Sequence, residues 1–242
     1  MRTVKVQFTW WWLQILAVQL TLIHAIPPAA PLQCQDGGAG GCTLFNSYGV
    51  WNDRRDCRVL NATYPKTEQE LVSAVAYANK NKLKVKVVSK FSHTIPKLAC
   101  PDGGGGVLIS TSEYGSGIEI DEAGLAVTVD AGVGLRQLID AVEAAGLSLA
   151  ASPYWEGVSV GGLISTGSHG SSWWGRGGAV HDHVTGVSLV VPAKPSEGYA
   201  KVVRIGEKDP LFNAARLSLG MLGVISKVSF QLVISSNSWL SG

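Results

Sequence analysis

Charge is scarce in this sequence. Twenty Lys and Arg stand against 18 Asp and Glu, only 16% of the 242 residues together. No basic run or basic face breaks that balance, which argues against nucleic acid as a partner. Several catalytic signatures are also absent. There is no G-x-S-x-G elbow, no Walker loop and no plausible Ser/His/Asp order, so hydrolase and NTPase readings have no support. The four cysteines (Cys34, Cys42, Cys57, Cys100) lack the C-x-x-C spacing of a zinc site, and no metal is expected. Gly132-Val133-Gly134 starts like a dinucleotide fingerprint but lacks its third glycine, and the acidic residue about 20 positions on, Glu156, lies in a loop. It reads as a turn followed by a helix N-terminus. Beyond Ala25, no segment is apolar for long enough to cross a bilayer.

The opening segment, Met1 to Ala25, reads as a secretory signal peptide. Arg2 and Lys5 precede a mostly apolar stretch, Val6 to Ile23, and the small residue Ala25 stands before a Pro-rich stretch. An uncleaved membrane anchor is the alternative. Cleavage after Ala25 removes Arg2 and Lys5 and leaves a mature chain with a formal charge near zero. In a secreted chain the four cysteines are expected to form two disulfides, with all three connectivities open. Asn61-Ala62-Thr63 is a glycosylation sequon, consistent with secretion to the extracellular space.

Along the chain, residues 26–56 look irregular and Cys-containing. Thr67 to Glu70 reads as a capping box opening a helix to about Lys82, with a strand at Lys84 to Val88 and another at Val107 to Ser110. Ile118 to Ile120 and Leu125 to Val129 form an expected hairpin, followed by a helix from Leu135 that stops at Gly146. Val184 to Val191 and Lys201 to Ile205 read as strands. Asp209-Pro210 is expected to open a helix ending near Leu222-Gly223. A last strand alternates, with Val224, Val228, Phe230, Leu232 and Ile234 on one face. The pattern is α+β in two subdomains, about 57–112 and 113–235, with a polar tail at 236–242.

The densest signal is the stretch Ser152 to Gly178, which holds eight glycines. Such a run is not expected to be a packed helix or a simple strand. It is expected to be a loop whose backbone N–H groups approach a bulky ligand, as glycine-rich loops approach phosphates and flat rings. Val158, Val160, Leu163 and Ile164 interleave the glycines and would anchor it in a core. His169, with His181-Asp182-His183, offers imidazoles but no evident fourth ligand, so packing beside the loop is the simpler reading.

VVSKFSHTIPKL (87–98), the glycine-rich run, and LSLGMLGVISKVSF (217–230) together resemble the FAD-binding (PCMH-type) domain of vanillyl-alcohol-oxidase-type flavoproteins, and within them the plant-type L-gulono-1,4-lactone oxidases. The resemblance covers roughly Cys34 to Leu232. It implies a cofactor, FAD, held between two α/β subdomains. It places Ser89, Lys90, Phe91, Ser92, His93 and Thr94 in a loop on the pyrophosphate, and Ser159, Gly161, Gly162, Thr166, Gly167, His169, Gly170 and Ser171 in a second loop reaching the isoalloxazine. Gly223, Val224 and Ile225 would hold the adenosine end. His93 aligns with the histidine that carries a covalent flavin bond in many relatives. Phe91-Ser92 departs from the glycine pair common at that point. The sequence also lacks the family's second, substrate-binding domain and its C-terminal His-Trp-x-Lys stretch, so it is expected to be the FAD domain alone, with no catalytic residue assigned. The implied reaction is oxidation of a small aldonolactone in an ascorbate-forming pathway, the other reading being an FAD binder without turnover. Without a covering domain, Trp155, Trp173 and Trp174 are expected to leave an apolar face that favours self-association.

Overall fold

The computed structural model describes residues 30–35, 40–45, 57–91, 96–101, 105–171 and 177–235. The proposed signal peptide and tail, Ser92 to Thr94, Trp173 and Trp174 lie outside them. Near the N-terminus, β1 (Leu32–Cys34), β2 (Cys42–Leu44) and β3 (Cys57–Val59) form an antiparallel sheet. This corrects the irregular segment expected at 26–56. Two disulfides account for the difference, because they fix short strands that have too few apolar residues to hold themselves. Cys34–Cys42 closes the β1–β2 pair, and Cys57–Cys100 ties β3 forward across 43 positions. The two closures differ in loop length, 8 against 43 residues of separation. Chain-entropy reasoning therefore gives an expected loss of about 4 kcal/mol for Cys57→Ser/Cys100→Ser and about 2.5 kcal/mol for Cys34→Ser/Cys42→Ser. Urea unfolding of the two double variants checks the order.

A parallel sheet follows, in the order β4 (Asn61–Thr63), β6 (Val107–Ser110), β5 (Val85–Val88). Its central strand, Val-Leu-Ile-Ser, is wholly buried, as an uninterrupted apolar run requires. Between β4 and β5 runs α1 (Glu68–Lys80). Thr67 Oγ1 accepts the Glu70 N–H at 3.2 Å, while the Glu70 carboxylate reaches back to the Lys66 N–H at 2.7 Å, one residue before the position a standard capping box uses. Leu71, Val75 and Ala78 form its buried face. After β5 comes the four-residue α2 (Pro96–Ala99).

The larger sheet is antiparallel, in the order β11 (Ala200–Gly206), β10 (Val184–Pro192), β12 (Val224–Gln231), β8 (Ala126–Asp130), β7 (Ile118–Asp121). One face packs on α1 through Leu71, Val75, Val190 and Val224. The other packs on α3 (Leu135–Ala144) and α4 (Val160–Ser165), with Leu138, Val142, Leu163, Val228 and Phe230 in one core. β9 (Leu147–Ser148) and β13 (Val233–Ile234) form a separate two-stranded antiparallel ladder.

Two expectations fail here for identifiable reasons. The last strand does not alternate throughout. A register shift makes Ser226 an extra residue opposite Ser188/Leu189, so Ile225 joins Val228 and Phe230 on one face and Val224 turns to the α1 side. The helix expected from Asp209 to Leu222 is only α5 (Phe212–Ala215). Leu219 (φ 50°) and Gly220 (φ 70°) reverse the chain, and the Leu219 N–H donates to the Ser165 carbonyl at 3.0 Å, holding the segment along α4.

Candidate cofactor cleft

Between the parallel sheet and the larger sheet lies a cleft of about 690 Å³. One wall is the end of α1, β5 and the α2 residues Leu98 and Ala99. The other is Ala131, the exposed face of α4, and the 219–225 segment. Among the described lining residues, the only charged ones are Lys82 and Lys86; there is no carboxylate. These residues give the described lining a positive balance. The two halves meet beside the cleft, where Gly132, next to the lining residue Ala131, lies against the turn after β6. A Cβ there would stand 1.8 Å from the Tyr114 carbonyl oxygen and 2.3 Å from that of Thr111, so only glycine allows this approach. Tyr114 is buried beside that contact. Burial first, then the Asp130 and Glu68 carboxylates, pushes its phenol well above the ordinary value, so it stays neutral. Glu68 also accepts the Ser226 hydroxyl at 2.7 Å, joining α1 to the bulge in β12.

The glycine-rich run supplies α4, a helix where a loop was expected. Its inward residues, Val160, Leu163 and Ile164, are fully buried, and that packing outweighs the poor propensity of Gly161 and Gly162. Ser159 caps it. The outward residues Gly161, Gly162, Ser165 and Thr166 line the cleft. Two of the backbone donors expected to reach a ligand are committed within the fold. The Gly161 N–H donates to the Ala131 carbonyl at 2.8 Å, and that of Val160 to the Val133 carbonyl at 2.9 Å. The glycines here thin the wall rather than present amides.

Of the residues singled out by sequence, Ser89, Ser159, Gly161, Gly162, Thr166, Gly223, Val224 and Ile225 converge on the cleft. Lys90 and Phe91 lie to one side, the Lys90 ammonium 5.5 Å from the Phe91 ring centre and the ring tip against Gly134. Gly167 (φ 71°) ends α4. His169 is exposed and bridges to Ala179, while Gly170 lets the Ala151 and Ser152 carbonyls pass close by. With Ser171 they run beside the cleft rather than along its lining. Ser92, His93 and Thr94 fall outside the described residues. His183 is buried with Nε2 3.1 Å from the Gly177 carbonyl oxygen, and the His181 carbonyl accepts from Arg216. Lys82, Lys86 and Thr111 line the cleft and were not singled out as cleft residues, nor was Gly132 at the contact beside it. Only Gly132 had a sequence signal, its place in the Gly-x-Gly turn.

A family model described as FAD binding domain matches residues 60–194, more than half of the chain. The chain belongs to this FAD-binding family. Arabidopsis thaliana L-gulonolactone oxidase 3 is 60% identical over 217 residues, which is 89% of this chain and 37% of that protein. The mitochondrial L-galactono-1,4-lactone dehydrogenase of the same plant is 30% identical over 187 residues, 76% of this chain and 28% of the relative. The chain thus spans between about a quarter and just over a third of the length of these curated relatives. Among solved structures, 6-hydroxy-D-nicotine oxidase from Arthrobacter nicotinovorans superposes with a TM-score of 0.65 at 23% identity, over 88% of this chain and 44% of that one. Cholesterol oxidase from B. sterolicum gives 0.62 at 18%, over 74% and 34%. At such identities these two bear on the fold alone. The fold is that of a PCMH-type FAD-binding domain, and its cofactor is FAD.

The cleft suits that cofactor. Its volume lies in the ~300–1,000 Å³ range of cofactor sites, two lysines and no carboxylate are among its described lining residues, and the glycines at 161, 162 and 223 keep its walls free of side chains.

Proposed function

We propose that the cleft holds FAD, and that the domain serves a flavin-dependent oxidation of an aldonolactone. The observation that carries the placement is the convergence of three sequence-distant segments, Ser89, Ser159 to Thr166 and Gly223 to Ile225, on one cleft with no carboxylate among its described lining residues. Lys82 and Lys86 would neutralise the pyrophosphate, the bare face of α4 would admit the extended cofactor, and Val224 and Ile225 would bound its far end. When bound, the isoalloxazine supplies the two-electron acceptor for lactone oxidation, passing electrons to oxygen or another acceptor. The substrate class rests on the relatives' names. Purified protein is expected to carry a flavin absorbance band that bleaches on addition of an L-gulono-lactone under anaerobic conditions. A band that does not bleach favours the second reading, an FAD binder without turnover. A chain with no band sinks both.

His93 is the proposed tether to the flavin. Acid precipitation of the loaded protein is expected to leave the yellow colour in the pellet, and His93→Ala to release it. Colour in the wild-type supernatant would reduce His93 to a contact at most. Secretion is proposed on the N-terminal segment, with Asn61, exposed on edge strand β4, as the glycan site. The expected product in the medium is glycosylated and begins after Ala25; retention in membranes would mean an uncleaved anchor. Self-association is proposed on the exposed Tyr154 and Trp155, and on Leu219, Met221 and Leu222 at the cleft rim. Sedimentation is expected to show mass rising with concentration, and a monomer at all concentrations would count against it.

A further inference from the structure

We infer that the disulfide-bonded N-terminal sheet is a redox-sensitive brace for the cofactor cleft, with Cys57 and Cys100 as positioning residues for one of its walls. This rests on the reading that FAD occupies the cleft. The sheet stands outside the common domain, since the family match begins at residue 60, after β1, β2 and β3. Its contact with the cleft runs through α2. That helix is one turn long, too short to persist by its own hydrogen bonds, yet Leu98 and Ala99 form part of the cleft wall. Two things hold it from behind. Ala99 is buried in a cluster with Leu32, Leu44, Cys57, Val59 and Val88, and the next residue, Cys100, is bonded to Cys57.

The bond is anchored in turn. Cys57 pairs with Leu44 of β2, and Cys42 of the same strand is bonded to Cys34. A rigid path thus leads from the Cys34–Cys42 closure through β2 and β3 to the wall. Cutting Cys57–Cys100 removes the covalent tie and leaves α2 held by the burial of Ala99 and Pro101 and by its packing on β5. Cutting Cys34–Cys42 leaves that last connection in place, so its effect on the cleft is smaller. The opening step is thiol–disulfide exchange with a dithiol. The first thiolate attacks one sulfur and the second displaces the mixed disulfide, so two electrons and two protons pass to the cysteines. Cys57 and Cys100 become thiols and the dithiol becomes a cyclic disulfide.

The test is FAD titration of the apo chain, followed by fluorescence, at a temperature where far-UV circular dichroism reports a folded protein. Cys57→Ser/Cys100→Ser is expected to raise the FAD Kd at least ~10-fold, and Cys34→Ser/Cys42→Ser less than ~3-fold. If the first variant does not fold, stepwise dithiothreitol reduction of the loaded wild-type protein replaces it. The induced visible dichroism of the flavin is then expected to fall in step with Cys57–Cys100 opening, read by mass spectrometry of alkylated peptides, while the far-UV signal persists. Equal FAD affinity in the Cys57/Cys100 variant overturns the brace, as does loss of visible and far-UV signals together. A wild-type chain that binds no FAD would instead refute the cofactor placement itself.

Discussion

Gly132→Ala is expected to be among the most damaging single substitutions in the chain. The added methyl would sit 1.8 Å from one backbone oxygen and 2.3 Å from another. Backbone cannot swing aside as a side chain can, so the β8–α3 connection and the turn after β6 would have to separate. A cost of at least about 4 kcal/mol is expected, beyond the usual range for point substitutions. For a domain of this size that is a fall of about 8–16 °C in Tm. Gly206→Ala is the matched control, because a Cβ there meets nothing within 4 Å. It is expected to stay within about 0.5 kcal/mol of wild type. Thermal unfolding of the two proteins decides the matter, and comparable stabilities would mean the halves meet less closely than described. Since this contact adjoins the lining residues Thr111 and Ala131, any Gly132 variant that folds is also expected to bind FAD weakly.

Gly162→Val separates cofactor binding from folding. In α4 the valine gains helix propensity over glycine, while its Cβ crowds Val158 Cγ2 at 3.3 Å, a side chain able to yield. The two effects oppose, and stability is expected to stay within about 1 kcal/mol of wild type. The remaining methyl groups project toward the cleft. A loss of at least ~100-fold in FAD affinity is expected, about 2.7 kcal/mol. Gly161→Val should resemble it, with more cost to folding because its nearest neighbours include the Ala131 carbonyl oxygen at 3.2 Å. Gly167→Val differs in kind. Its φ of 71° and its contact with Leu217 make it a defect of the chain turn, since Gly167 is not part of the cleft lining. A Gly162→Val protein that takes up stoichiometric FAD would remove α4 from the cofactor site.

Periodic segments were legible in the sequence, and tertiary accidents were not. Val107 to Ser110, the 118–130 hairpin and the helix from Leu135 followed directly from apolar spacing and from Gly146 as a stop. Local rules failed where a distant partner decided the outcome. Val160 to Ser165 is helical because Val160, Leu163 and Ile164 have a core to enter, which no count of glycines reveals. The 209–222 helix is cut short by a turn held to Ser165, and Val224 faces away from Val228 because of one extra residue at Ser226. Cysteine spacing left three connectivities open, and only the strand register brings Cys34 to Cys42 and only core packing brings β3 to the end of α2. For the site, the resemblance found the three segments that converge. Lys82, Lys86 and Gly132 needed the packing of one sheet against the other to appear.

Amide hydrogen exchange with and without FAD bears most directly on where the cofactor lies. Saturating FAD is expected to slow exchange in the peptides spanning residues 85–89, 159–166 and 219–225, the three segments around the cleft, and to leave β7 and the surface of α3 unchanged. FAD bound at full stoichiometry with no slowing in these three segments would contradict its placement between the two sheets.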